Sequence, residues 1–151
     1  MNKTVVIVGA LLLIAFGAIV AFRFSGSGGS LTWGDTNVKC LPNGHQNLAQ
    51  HYHPILSITV DGEKEGVPSN VGVSTACLSE AHTHDSTGVL HFESADANAT
   101  FTVADFFAVW GEPLEREGYT LTATINGEEV LDVSTVVLKD GDQVALNYTS
   151  I

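Results

Sequence analysis

Much of the chain after position 50 alternates between apolar and polar residues. In HPILSITVDG, Leu56, Ile58 and Val60 fall on one side of an extended segment and Ile55, Ser57 and Thr59 on the other, and the run stops at Asp61-Gly62. Side chains two apart on a strand share a face, so this predicts a half-buried strand closed by a tight turn. VLHFES repeats the pattern, with Leu90 and Phe92 on one face and Val89, His91 and Glu93 on the other. In FTVADFFAVWG the period changes. Thr102 with Asp105 reads as a capping box, Val103, Phe106, Phe107 and Trp110 recur at helical spacing, and Gly111 supplies the stop. The prediction is a short amphipathic helix with its aromatic residues in the core. Two more hairpins are predicted at Asn126-Gly127 and Asp140-Gly141, each set between alternating runs. Together these predict an α+β fold: a small, mostly antiparallel β domain with one short amphipathic helix.

The first residues follow another pattern. Val5 to Phe22 is an uncharged run of 18 residues between Lys3 and Arg23, and as a helix it reaches roughly 27 Å, close to the hydrocarbon thickness of a bilayer. A cleaved signal peptide is the competing reading, but no A-x-A site follows. The expected organisation is a membrane anchor over residues 1–24, a Gly/Ser tether over 25–30 (SGSGGS) and an extracytoplasmic α+β domain over 31–151. The expected location is a single-pass membrane protein with its C-terminal domain outside the cytoplasm, and the membrane is an expected partner through the N-terminal helix.

Charge narrows the partners. After Arg23 the chain has four basic residues against all 17 acidic ones, a formal charge of −13. That field repels nucleic acid and anionic headgroups and attracts cations, so no nucleic-acid partner is expected. It also keeps an exported domain soluble. Cys40 and Cys77 are read either as a disulfide, expected outside the cytoplasm, or as a pair of thiolate ligands; no C-x-x-C spacing supports a zinc knuckle.

The chemistry lies in the histidines. The chain has six, and HYHP and HTHDSTGVLHFE hold five of them. On a strand, His51 and His53 share a face, as do His82 and His84, and His91 and Glu93 make a third such pair. Neutral imidazole suits copper and zinc, and three or four such donors complete a site without cysteine. The candidate ligands are His51, His53, His82, His84, His91, Glu93 and Asp85, the last as a ligand, a turn residue or an acceptor that orients an imidazole. His45, in LPNGHQN, reads as a surface residue. Histidines on solvated strand faces or in buried hydrogen bonds are the alternative. Known metal motifs fit badly: a cupin would place a glutamate where Gly88 and Val89 stand, and a metallo-β-lactamase pattern would need a histidine at Thr87. Neither G-x-S-x-G, H-E-x-x-H nor a phosphate loop is present.

Taken together, HYHPILSITVDGEKEGVPSNVGV, AHTHDSTGVLHFES and FTVADFFAVWG resemble a group of uncharacterised exported or membrane-anchored archaeal and bacterial proteins. These share H-x-H before a strand, an HTHD-[ST]-G-x-x-H-x-E segment and an F-T-x-x-x-F-F-x-x-W-G helix. The resemblance covers roughly Cys40 to Gly111. It implies a shared site at His51, His53, His82, His84 and His91 and implies no activity.

The leading expectation is a membrane-tethered extracytoplasmic protein that captures or delivers a transition metal, copper or zinc. A small metalloenzyme with three histidines and an open metal position is the second reading. A structural or interaction module of the cell envelope, without metal, is the third.

Overall fold

In the computed structural model, which describes Trp33 and residues 36–151, eight strands and one α-helix follow in chain order. They are β1 (Gln50–Tyr52), β2 (Ile55–Val60), β3 (Glu63–Glu65), β4 (Ala81–His82), β5 (His91–Ser94), α1 (Val103–Trp110), β6 (Tyr119–Ile125), β7 (Glu128–Val130) and β8 (Gln143–Ser150). The strands form two sheets, a small one of order β1-β5-β4 and a larger one of order β3-β2-β8-β6-β7.

Local chemistry explains most of these elements. β2 and β3 join through Asp61 and Gly62, and β6 and β7 through Asn126 and Gly127; all four turn residues have positive φ, as a two-residue hairpin turn that follows strand twist requires. On α1 the Thr102 side chain accepts from the Asp105 N–H, the Asp105 carboxylate accepts from the Thr102 N–H, and Gly111 closes the helix in the left-handed region. Val103, Phe106 and Phe107 of α1 are buried, each large side chain stabilising the fold by roughly 1.5–3 kcal/mol.

The core lies between the helix and the sheets. Leu56, Ile58, Val144, Leu146 and Tyr148 fill it from the large sheet and Ala81 and Phe92 from the small one. Tyr52, Phe92 and Phe101 cluster with ring centroids 5.2 to 6.4 Å apart. Because residues alternate, burying Tyr52, Phe92 and Ala81 turns His51, Glu93, His91 and His82 to the opposite face of the small sheet.

His53-Pro54 carries the chain from one sheet to the other. Leu56 N–H donates to the Gly88 carbonyl at 2.8 Å and Leu90 N–H to the Pro54 carbonyl at 2.9 Å, so the loop before β5 is fastened to the start of β2. Gly88 has φ +90°, and a Cβ there would stand 2.3 Å from the Leu56 carbonyl oxygen. Only glycine permits that approach.

Several expectations are corrected. Over the described residues the fold is a mostly β domain with one helix, not the expected α+β fold. Asp140-Gly141 does not close a hairpin. β8 lies between β2, to which it is parallel, and β6, to which it is antiparallel, so neither edge is left for residues 136–139. The expected anchor (1–24) and tether (25–30) lie outside the described residues. Among the described residues no helix is long and apolar enough to cross a membrane. α1 has eight residues, about 12 Å of rise against a hydrocarbon core of about 30 Å. The tethered carrier, the membrane as partner and the membrane location thus find no supporting helix among the described residues. What stands in their place is a β domain whose histidine clusters could hold a metal ion.

Cys40 and Cys77 form a disulfide with Cα atoms 5.3 Å apart. Neither thiolate is free to bind metal. The bridge closes 37 residues of chain, worth on the order of 3–4 kcal/mol by chain-entropy arguments.

Candidate metal centre

The small sheet sets the site out in register. His51 lies opposite Glu93 across β1 and β5, and His82 lies opposite His91 across β4 and β5. His53 follows β1 and stacks edge-on against His91, ring centroids 4.6 Å apart. His84 follows β4, with its ring centroid 4.4 Å from that of His91. At this spacing side chains opposite one another on neighbouring strands touch.

A sixth imidazole arrives from a loop. His45 sits where Gly44 and Asn47 both adopt positive φ, and the turn brings its ring over the sheet, 5.6 Å from His82 and 5.4 Å from His84 between centroids. Its Nδ1 lies 2.7 Å from Glu93 Oε2. The sequence reading of His45 as a surface residue holds for its exposure, 50% at the side chain, but its ring also belongs to the cluster. The signals that could have found it were the neighbouring Asn43-Gly44 turn and the concentration of every other histidine at one face.

These donors fall into groups rather than around one point. His45, His82 and His84 each offer a ligand atom within 4.8 Å of the others, and so do His51, His53 and His91. An inner set of His82, His91 and Glu93 meets the same limit. The two H-x-H segments therefore serve different groups. Clusters of this composition could coordinate a metal ion. Comparison with protein-family models, curated proteins and solved structures finds no match for this chain. The geometry alone carries the functional reading.

Hydrogen bonds orient several rings. His82 Nδ1 donates to the Ser79 carbonyl at 2.9 Å, leaving Nε2 as the nitrogen with a free lone pair. That Nε2 lies 3.2 Å from His84 Nε2. Two nitrogens bound to one tetrahedral ion at about 2.0–2.1 Å each stand at a similar separation. The His53 N–H donates to Asp140 Oδ1 at 2.8 Å, and His53 Nδ1 lies 3.7 Å from the same oxygen. Asp140, which the sequence offered only as a turn residue, thus steadies the segment that carries His53. Glu93 is buried, its side chain 1% exposed, and its other oxygen, Oε1, lies 3.0 Å from His51 Nε2.

Burial sets the charge state of the central rings. It pushes the His82 imidazolium down to about 4, and the Glu93 carboxylate only partly offsets this. Burial, followed by the neighbouring His84 and His53 rings, likewise pushes His91 down to about 4. Both rings are therefore neutral near pH 7, the form that ligates metal. His91 Nδ1 is buried and has no hydrogen-bond partner.

Asp85 stands apart from these groups. It is exposed, and its carboxylate accepts from the Thr87 N–H at 2.9 Å and the Thr87 hydroxyl at 2.5 Å. Those bonds hold its carboxyl below the ordinary carboxylate range. They also shape the turn between His84 and Gly88. A second buried carboxylate, Glu80, accepts from the Ser94 hydroxyl and the Lys39 N–H, and so is occupied with fastening the small sheet.

Proposed function

We propose that this domain is a small metalloenzyme in which three imidazoles hold a transition metal, zinc or copper, and leave a coordination position open to solvent. The observation that carries this reading is His91 Nδ1, a buried ring nitrogen with no hydrogen-bond partner, among neighbouring imidazoles. Leaving such a nitrogen unsatisfied costs roughly 1–3 kcal/mol, and a bound ion removes that cost. The neutral state of His82 and His91 and the fixed tautomer of His82 support the same reading. His51 and His53 join His91 in one group of three imidazoles, His45 and His84 join His82 in the other, and Asp85 serves the turn.

Three ligands with an open position are the catalytic pattern, whereas four closed ligands are the structural one. His45, His51 and His53 are each 40–50% exposed at the side chain, so water or a small substrate reaches an ion at this face. An ion held by these imidazoles would supply Lewis acidity there and lower the pKa of bound water.

The test uses the full chain freed of metal by chelation, then loaded with zinc or copper and desalted. Retained metal is measured by elemental analysis, and the cobalt-substituted protein is titrated with azide while its visible spectrum is followed. Stoichiometric retention and an azide-dependent spectral change are expected. Retention no better for the wild type than for a His82→Ala, His91→Ala double variant would remove the proposal, and retention without any azide response would reduce it to a closed site.

A further inference from the structure

We propose that the site is a two-metal centre, with one ion held by His45, His82 and His84, a second by His51, His53 and His91, and the Glu93 carboxylate joining them, one oxygen to each. The inference rests on the preceding reading that the cluster binds transition metal, and it concerns how many ions and which residue couples them.

The donor count is the first argument. Six imidazoles and a buried carboxylate exceed what one four-coordinate ion can use. Within each three-histidine group the ligand atoms lie within 4.8 Å of one another, and the two groups share no histidine. Two ions, each with three nitrogens and one carboxylate oxygen, use every donor and leave the exposed face of each ion to water or substrate as a fifth ligand.

The position of Glu93 is the second. Its Oε2 faces His45 at 2.7 Å and its Oε1 faces His51 at 3.0 Å, so the two oxygens address different groups. Its side chain is 1% exposed, and a negative charge buried so deeply is costly without compensation. Two dications on either side supply that compensation. Carboxylate bridging also suits the separation of about 3.5–4 Å found in two-metal sites.

The ring arrangement is the third. His82 and His91, one from each group, stack face to face with centroids 5.2 Å apart and planes 18° from parallel. His82 lies opposite His91 across β4 and β5, which sets the two groups side by side. The single-ion rival places one ion at His82, His91 and Glu93. It leaves His45, His51, His53 and His84 without a role.

Stoichiometry and magnetic coupling decide between them. The metal-free full chain is titrated with zinc and with copper(II), bound metal is counted by elemental analysis, and the copper form is examined by electron paramagnetic resonance with spin counting. Two ions per chain are expected, with a copper signal well below two spins because the ions interact. His53→Ala and His84→Ala, which alter partly or fully exposed side chains, should each lower the count from two to one. Glu93→Gln, checked for folding by circular dichroism, should weaken the second ion about tenfold or more and restore uncoupled copper spins. One ion per chain, unchanged in the His53→Ala and His84→Ala variants, would overturn the two-metal centre while leaving the metal-binding reading intact. Two ions with full, uncoupled spin in the wild type would overturn the Glu93 bridge. No bound metal in a folded chain would remove both readings together.

Discussion

His51 stands directly across β1 and β5 from Glu93, and its Nε2 lies 3.0 Å from a carboxylate that the rest of the fold seals from water. Strand register thus fixes an interaction between a half-exposed ring and a buried charge. A one-residue slip would turn His51 into the core and Tyr52 toward the metal face. His51 therefore contributes to the stability of the metal-free domain as well as to its site. His51→Ala should lower that stability by about 1–2 kcal/mol, because it removes a partner from a buried carboxylate. His53→Ala is the control: its nearest carboxylate, Asp140, is exposed and 3.7 Å away, and the loss should stay within about 0.5 kcal/mol. Urea unfolding of both variants in chelator measures the contrast. Equal losses would show that Glu93 does not depend on His51.

Metal should stabilise the folded chain by mass action. An ion that binds only the native state adds about 2.7 kcal/mol at a free concentration one hundred times its Kd. For a domain of this size that corresponds to a rise of roughly 10 °C or more in Tm. Calorimetry with zinc, followed by chelation, should show the rise and its reversal. His82→Ala should reduce the shift, since His82 is buried and its Nδ1 bond to Ser79 presents Nε2 to the site. A Tm indifferent to zinc and copper would argue against any ion at the cluster.

Local pattern made the strand Ile55–Val60, its Asp61-Gly62 turn, the Asn126-Gly127 hairpin and the Thr102-capped helix legible in the sequence, because each is set by residues a few positions apart. The placement of β8 was not legible. Its alternation is the same whether it pairs with residues 136–139 or lies parallel to β2, and long-range pairing decides between them. The site divides in the same way. The shared face of His91 and Glu93 follows from a period of two, whereas the separation of the two H-x-H segments depends on which strand sits beside β5. His45 was missed because its ring arrives on a loop whose path is set by positive φ at Gly44 and Asn47 rather than by any periodicity.

The tie between the HTHD segment and β2 should be sensitive to Gly88. A methyl group there would come within 2.3 Å of the Leu56 carbonyl oxygen at a φ of +90°. The neighbour is backbone in a sheet and cannot swing aside. Gly88→Ala should therefore destabilise the domain by at least about 2 kcal/mol, combining backbone strain with overpacking. Because the same loop separates His84 from His91, the variant should also bind zinc more weakly even where it remains folded. Gly62→Ala, at a φ of +86° with open space around its Cβ, isolates the strain from the clash and should cost less. Denaturant midpoints of the pair measure the difference.

Acid should remove one further interaction, away from the histidines. Arg116 forks onto Glu65, with Nη1 to Oε2 at 2.9 Å and Nη2 to Oε1 at 2.5 Å, and its guanidinium lies 4.2 Å from the centroid of the Tyr148 ring. The hydrogen bonds from Arg116 hold the Glu65 carboxyl below its ordinary value of 4.5. A carboxyl lowered on folding binds protons more readily in the unfolded chain. Its stabilisation is therefore fully present above the ordinary value and is lost as pH falls through the lowered one. The pair is partly solvated, the Glu65 side chain being 35% exposed, so the contribution should be below about 1 kcal/mol. Glu65→Gln should be less stable than the wild type at pH 7 by that amount, and the two should converge as pH falls through the lowered value. Arg116→Ala should remain less stable at low pH as well, because its contact with Tyr148 does not titrate there. Thermal unfolding in chelator from pH 7 to pH 3 follows both differences, and a Glu65→Gln gap that does not narrow in acid would remove the ion pair as its cause.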